Sequence, residues 1–328
     1  MKKLRIAVAG LGRAFSLMAL ALRRDTRVEL VAGADTLPAA RERFGREFGC
    51  KSFADVAEMC REDFDVLYVA SPHPLHAAHA QIALAAGKHA LVEKPMALAL
   101  EDCQAMVDAA KAAGRVLMIG HSHSYDRPVA KTVELIREHG GVRMITALNY
   151  TDFMTRRKRE APDNALTNQA PHQVDVVRLL AGSRVRAVRA HADAGSGSYS
   201  CLLSFESGAT ATLVYSGHGH FRSNEWMMDS SELGTPGVAH EHFGVYIVSC
   251  EDADLRPLPT GVMVYGDGAP RLEPLPPPQI LRQEVIDELY AAVMEGKGPL
   301  HDGNWGLETM KVCLAMQRSA REAKEVAL

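Results

Sequence analysis

The chain has 328 residues, 47% of them apolar and 23% charged, with a formal net charge of −3. That length exceeds one ordinary core and calls for two domains, and the mild acidity leaves no overall basic field for nucleic acid or a lipid surface. No apolar run reaches membrane-spanning length, and the cysteines at 50, 60, 103, 201, 250 and 313 form no CxxC pair, so a cytoplasmic protein with reduced thiols is expected.

The basic start ends in a strand rather than a signal peptide: Leu4–Ala9 is apolar and a glycine turn follows at once. The turn is Gly10-Leu11-Gly12-Arg13-Ala14-Phe15, and a helical run over Ser16–Arg24 comes next. Gly10 allows the tight turn, and Gly12 lets the backbone approach a pyrophosphate at a helix N-terminus. Phe15 stands where the full G-x-G-x-x-G pattern has its third glycine, and the adjacent Ala14 is small. A second strand, Val28–Ala34, ends at Asp35, 23 residues beyond Gly12, near the spacing at which an acid meets the adenosine ribose diol. An acid there repels a 2′-phosphate, so NAD is expected in preference to NADP. The alternative role for Asp35 is an N-cap for the helix Pro38–Phe48.

The alternation continues. Phe64–Ala70 reads as a strand ending in the turn Ser71-Pro72-His73-Pro74, and His76–Ala86 as a helix. The apolar run Ala90-Leu91-Val92 reads as a buried parallel strand that ends on Glu93-Lys94-Pro95. A lysine there has one dry flank and one facing a crevice, and the proline fixes the local path. Leu100–Ala113 is a helix and Val116–Gly120 the next strand. Repeated βα units of this length predict a parallel, doubly wound Rossmann sheet over residues 1–122. Its strand ends carry Gly10, Asp35, Ser71, His73, Lys94 and His121 to one rim.

Residues 123–328 are expected to form a second, α+β domain with an open, mostly antiparallel sheet. Helices are predicted over Pro128–His139 and Gln169–Leu180, and strands over Val142–Asp152, 184–193, 198–206, 209–217 and 243–249. Arg222–His242 reads as a loop, Leu255–Pro278 as a proline-rich connector, and 280–295 and 304–325 as two closing helices within 280–325. The run Arg156-Arg157-Lys158-Arg159 is open to two readings, a clamp for substrate carboxylates or a solvated loop, with a nucleic-acid patch disfavoured by the chain's overall acidity. Histidine pairs at 121/123, 218/220, 240/242 and 76/79 lack carboxylate or cysteine partners at metal-ligand spacing, so no catalytic metal is expected.

Gly10-x-Gly12, Ser71-Pro72-His73 with His76, Ala86-Gly87-Lys88-His89, Glu93-Lys94-Pro95 and Asn168-x-x-x-His172-x-x-Asp175 together resemble the Gfo/Idh/MocA oxidoreductases over nearly the whole chain. The stretches His121–Asp126, Asn149–Phe153, Asn168–Asp175, Tyr215–Gly217 and Arg256–Pro259 look like the phthalate 4,5-cis-dihydrodiol dehydrogenase branch of that family. The resemblance implies hydride exchange between a nicotinamide and a hydroxyl-bearing carbon. It assigns the cofactor to Gly10, Gly12, Arg13, Ala14, Asp35, Ser71, His73, His76, Glu93 and Lys94. Catalysis falls to Lys94, His172 and Asn168, with Asp175 placed to orient the His172 ring or to lie on the helix surface. His172 is read as the acid/base and Lys94 as the group that orients the hydroxyl, or the reverse. Asn168 stands where many members carry aspartate, so it cannot accept a proton. Substrate contacts are assigned to His121, Tyr150, Arg156, Arg157, Asn168 and His172. The implied substrate is a carboxylated cis-dihydrodiol of aromatic catabolism, with a sugar or polyol, or a non-catalytic nucleotide-binding role, as alternatives. The chain reads as shortened before Asn168 and near 230–240 relative to that branch. A homo-oligomer, dimer or tetramer, is expected, without nucleic-acid or membrane partners.

Overall fold

A computed structural model describes residues 2–120, 123–151, 165–193, 195, 197–219, 240 and 243–328. The chain divides into two compact units, residues 1–121 with 280–310, and residues 122–279 with 311–328.

The first unit holds a six-stranded sheet, β1 (Leu4–Ala9), β2 (Val28–Ala34), β3 (Lys51–Phe53), β4 (Val66–Val69), β5 (His89–Glu93) and β6 (Leu117–Gly120), in the order β3-β2-β1-β4-β5-β6. Every neighbouring pair is parallel. Strand interiors are apolar on both faces because helices cover both: Ile6, Val8, Val66, Leu67 and Val92 are all at most 1% exposed. The helices are α1 (Arg13–Arg24), α2 (Pro38–Phe48), the short α3 (Val56–Met59), α4 (His76–Ala85) and α5 (Leu100–Ala113). α1 starts three residues earlier than its apolar pattern suggested. Phe15, in the third-glycine position, is buried against Phe44 and Phe48 at ring distances of 5.7 and 5.4 Å, so an aromatic cluster joins α1 to α2 there.

Residues 280–310 were expected in the second domain, yet they pack with the first unit. Their helix α9 (numbered after the second unit's helices; Gln283–Met294) is tied by polar contacts to the loop between α1 and β2. Gln283 Nε2 donates to Asp25 Oδ2 at 2.5 Å, Arg27 pairs with both Asp25 and Asp287, and the Arg27 guanidinium lies 5.1 Å from the Tyr290 ring centre. Ile119 N also donates to His301 O at 2.8 Å. Apart from the local Arg27–Asp25 pair, these join residues far apart in sequence, so the periodicity of 280–295 alone carried no sign of them.

The second unit contains α6 (Arg127–Glu138), α7 (Ala165–Asn168) and α8 (Ala170–Ala181) beside a nine-stranded sheet. Its strands are β7 (Val142–Tyr150), β8 (Val185–Ala192), β9 (Ser198–Phe205), β10 (Thr210–Ser216), β11 (Val245–Cys250), β12 (Asp254–Leu258), β13 (Gly261–Tyr265), β14 (Arg271–Pro274) and β15 (Val326–Ala327). Only β7 and β10 pair in parallel; the other described pairings are antiparallel. The expected proline-rich connector is therefore three strands. Proline is accommodated because β11 pairs with β12 only through Asp254 and Leu255, so the missing N–H of Pro257 falls beyond that ladder, and Pro274 ends an edge strand. A last helix, α10 (Gly303–Glu322), contributes residues to both units. Among the described residues no helix is long and apolar enough to cross a membrane.

Candidate active site

In the parallel sheet the carboxyl ends of β1, β2, β4 and β5 lie along one edge, and the strand order reverses between β1 and β4. That reversal is where open α/β sheets bind ligands. Gly10 sits in the left-handed region at φ +93°, and a Cβ there would lie 2.6 Å from Ala70 O and Ser71 Cα. Gly10 is thus required by the turn itself. Gly12 differs: its φ is −90° and a Cβ would meet nothing within 4 Å. The space in front of Gly12 is open, and α1 begins there with no side-chain cap on its first amides. A 12-residue helix with uncapped N–H groups behind an open glycine position fits a pyrophosphate. Arg13 is exposed and Ala14 half-buried at that start.

Asp35 is half-buried, and both carboxylate oxygens have backbone donors: Leu11 N on Oδ2 and Leu37 N on Oδ1, each at 2.9 Å. The acid therefore reaches back onto the glycine turn, while the N-cap of α2 is Leu37. Each oxygen keeps a second lone pair for a ribose hydroxyl. Arg43 Nη2 donates to Leu11 O at 2.6 Å and Arg41 Nη1 to Asp35 O at 2.8 Å, so two guanidiniums flank the same turn.

Two residues assigned to the cofactor make structural contacts. His76 is fully buried, with Nδ1 2.9 Å from Pro95 O and Nε2 2.9 Å from Ser71 O. Both ring nitrogens are thereby committed to backbone, leaving no atom to touch a ligand. Burial is the main cause that holds its pKa below the ordinary histidine value. Its effect is to fix the loops after β4 and β5 to each other, and Lys94 precedes the proline it holds. Glu93 accepts a 2.6 Å hydrogen bond from Tyr68, a phenol buried under the sheet and pushed well above its usual pKa by that burial. One oxygen of Glu93 thus ties the end of β5 to β4, while the side chain stays half-buried. Tyr68 escaped sequence reasoning because an apolar strand pattern hides a hydroxyl. Ser71 is buried, its hydroxyl 3.0 Å from His79 Nδ1, while His73 and Lys94 are half-buried on the rim. The Lys94–Pro95 peptide is cis.

In the second unit α8 lies on the inner face of the sheet. Gln173 Nε2 donates to Val214 O at 3.2 Å, and its Oε1 accepts from Tyr199 OH at 2.7 Å. This anchoring fixes the helix that carries His172 and Asp175. His172 is 9% exposed and Asp175 1%, which removes the helix-surface reading of Asp175. Asn168 ends α7, its Oδ1 accepting from Gln169 Nε2 at 2.6 Å. Tyr150 ends β7 and is half-buried. The His172 ring contacts His123 at 4.8 Å and Phe243 at 4.7 Å between centres. His123 and Phe243 were not among the candidate residues, although His123 lies inside a motif that was. His121, Arg156 and Arg157 lie outside the described residues.

Among the described residues no group of three or more His, Cys, Asp and Glu side chains could hold a metal ion. The six cysteines are unbridged, and burial pushes Cys60 and Cys250 up to about 11 and Cys103 and Cys201 up to about 12, which keeps these thiols protonated and inert.

Residues 4–121 match the oxidoreductase family with an NAD-binding Rossmann fold, and residues 103–233 match the Gfo/Idh/MocA C-terminal domain. A 1-carboxy-3-chloro-3,4-dihydroxycyclohexa-1,5-diene dehydrogenase from Comamonas testosteroni is 38% identical, the alignment covering 95% of this chain and 94% of the relative. That alignment spans 372 positions against the 328 of this chain, so the relative holds insertions. The NADP-dependent scyllo-inositol 2-dehydrogenase IolU of Bacillus subtilis (strain 168) is 36% identical over 35% of this chain and 36% of its own. A solved structure of a provisionally named dehydrogenase from Bordetella bronchiseptica RB50 superposes with a TM-score of 0.90 at 33% identity, covering 99% of this chain and 100% of its own.

Proposed function

The chain belongs to the Gfo/Idh/MocA family of NAD(P)-dependent oxidoreductases, and we propose that it oxidises a carboxylated cis-dihydrodiol with NAD. The observation that carries this reading is the likeness, along almost all of both chains, to a dehydrogenase of a carboxylated dihydroxycyclohexadiene. The first substrate to test is the cis-4,5-dihydrodiol of phthalate, whose product is 4,5-dihydroxyphthalate. Oxidising one carbinol of such a ring gives a ketone that enolises to a catechol, and aromatisation drives the overall step.

The open space at Gly12, the uncapped start of α1 and the ribose-directed Asp35 would hold the dinucleotide. When bound, its nicotinamide supplies the hydride-accepting carbon. Lys94, on a loop held by His76, orients and polarises the reacting hydroxyl. His172, on a helix pinned to the sheet by Gln173, takes the hydroxyl proton, as imidazole does near neutrality. Asn168 hydrogen-bonds the diol. Tyr150, His121, Arg156 and Arg157 belong to the same substrate reading, the arginines as partners for carboxylates. Asp35 favours NAD over NADP by repelling a 2′-phosphate.

The outer face of the nine-stranded sheet carries Met144 and Ile247 on the adjacent strands β7 and β11 and Leu202 on β9, one strand beyond β10, 47%, 39% and 45% exposed. We infer that this face pairs with a second copy of the chain.

The deciding assay mixes purified protein, NAD and the phthalate dihydrodiol and follows NADH absorbance, with NADP and myo-inositol in parallel. NADH formed only with the dihydrodiol supports the reading. Activity with myo-inositol alone overturns it in favour of a polyol dehydrogenase, the class to which the inositol relative belongs.

A further inference from the structure

Each hydride removed from a carbinol leaves one proton that has to reach solvent. His172 is poorly placed to deliver it, being 9% exposed with Nδ1 sealed from water. The ring beside it is better placed. His123 lies edge-on to His172, with centres 4.8 Å apart and planes at 65°. Its Nδ1 is 3.2 Å from Asp126 Oδ2, and the two side chains retain 16% and 14% exposure. Phe243 packs against both imidazoles, 4.9 Å from His123 and 4.7 Å from His172, and so holds their mutual orientation. Asp126 directly precedes α6, and the chain between His123 and Asp126 is closed by a hydrogen bond from Asp126 N to His123 O at 3.3 Å.

We propose that His123, poised by Asp126, is a positioning and proton-relay residue for His172. The inference rests on His172 being the proton acceptor, as argued above. In the balanced step the carbinol C–H gives a hydride to the nicotinamide, the O–H gives its proton to His172, and the carbinol becomes a carbonyl. The proton then passes from His172 to His123, directly or through one water, and from His123 to solvent. The Asp126 carboxylate can accept a hydrogen bond from His123 Nδ1–H, which fixes the ring's orientation. Two imidazoles in contact do not both hold a proton comfortably, so transfer to His123 returns His172 to the neutral base needed for the next turnover. Among the described residues, Asp126 and Asp175 both act on the buried Tyr246. Burial first, then Asp126 and Asp175, push the Tyr246 phenol well above its usual pKa, so it stays a neutral wall of this cluster.

The test is His123→Phe, which keeps an aromatic ring against His172 and Phe243 but carries no proton. His123→Gln serves as a second variant should the first fail to give a native melting curve. The expected result is a fall in kcat of about tenfold or more, with the KM for the diol and the affinity for NAD within about twofold. Added imidazole should restore several-fold of the lost rate in the variant and leave the wild type unchanged. A kcat within about twofold of wild type, or a loss that imidazole does not relieve, overturns the relay. His172→Ala is carried through the same assay. A wild type active on the diol, with His172→Ala inactive and His123→Phe unaffected, removes only the relay. A wild type inactive on diols and polyols, or a fully active His172→Ala, removes the underlying reading and the relay with it.

Discussion

Asp25→Asn tests whether the closing helix is held to the Rossmann unit by one buried carboxylate. Asp25 is 8% exposed and receives Arg27 Nε at 3.0 Å, Arg27 Nη2 at 2.5 Å, Arg27 N at 2.8 Å and Gln283 Nε2 at 2.5 Å. The Arg27 hydrogen bond is the largest influence on it, and its pKa falls from 3.8 to about 2. Such a shift corresponds to about 2 kcal/mol of folded-state preference for the charged form, after some discount for the partly exposed Arg27. Because the folded-state pKa is depressed, this stability is fully present above the unfolded value of 3.8 and is lost as pH falls toward 2. At pH 7 the variant should melt roughly 4–8 °C below wild type by calorimetry. The gap should narrow steadily between about pH 4 and pH 2. A variant that melts within about a degree of wild type at pH 7, or a gap that does not change on acidification, would refute the reasoning.

The two glycines of the turn should separate fold from cofactor. Gly10→Ala forces a Cβ onto Ala70 and Ser71 at positive φ and should cost several degrees of melting temperature along with NAD affinity; Gly12→Val should leave the melting curve of the unliganded protein near wild type and weaken NAD binding by about tenfold or more in titration calorimetry. Asp35→Ser should narrow the NAD-to-NADP preference by about tenfold or more in the ratio of kcat/KM values; an unchanged ratio would remove Asp35 from cofactor choice. His172→Ala should lower kcat by at least about a hundredfold while NAD still raises the melting temperature, and near-normal turnover would remove His172 from the chemistry. Paired Met144→Glu and Ile247→Glu substitutions on the open sheet face should shift the elution of the protein toward a monomer in light-scattering chromatography, and an unchanged mass would reject that face as a self-association surface.

The sequence by itself determined the parallel half of the protein and its glycine turn. Those features are local: an apolar run between turn residues sets each parallel strand, and the positions of Gly10, Gly12 and Asp35 follow from contacts within one βαβ unit. Lys94 and His172 were singled out because each sits in a short motif that resembles the family's. Tertiary structure decided what spacing cannot encode. Leu255–Pro278 forms strands because an edge and an unpaired end tolerate proline, which composition alone cannot distinguish from a connector. His76 reads as a ligand contact beside Ser71-Pro72-His73, yet Pro95 O and Ser71 O hold its ring inside the fold, and the Tyr68 hydroxyl ties one oxygen of Glu93 to the neighbouring strand. The pairings of Gln283 with Asp25 and of Asp287 with Arg27, and the seating of His123 against His172 and Phe243, join residues tens to hundreds of positions apart. Such contacts exist only once each unit has folded, because the chain entropy spent in bringing distant segments together is recovered by the burial of whole elements and not by any local preference.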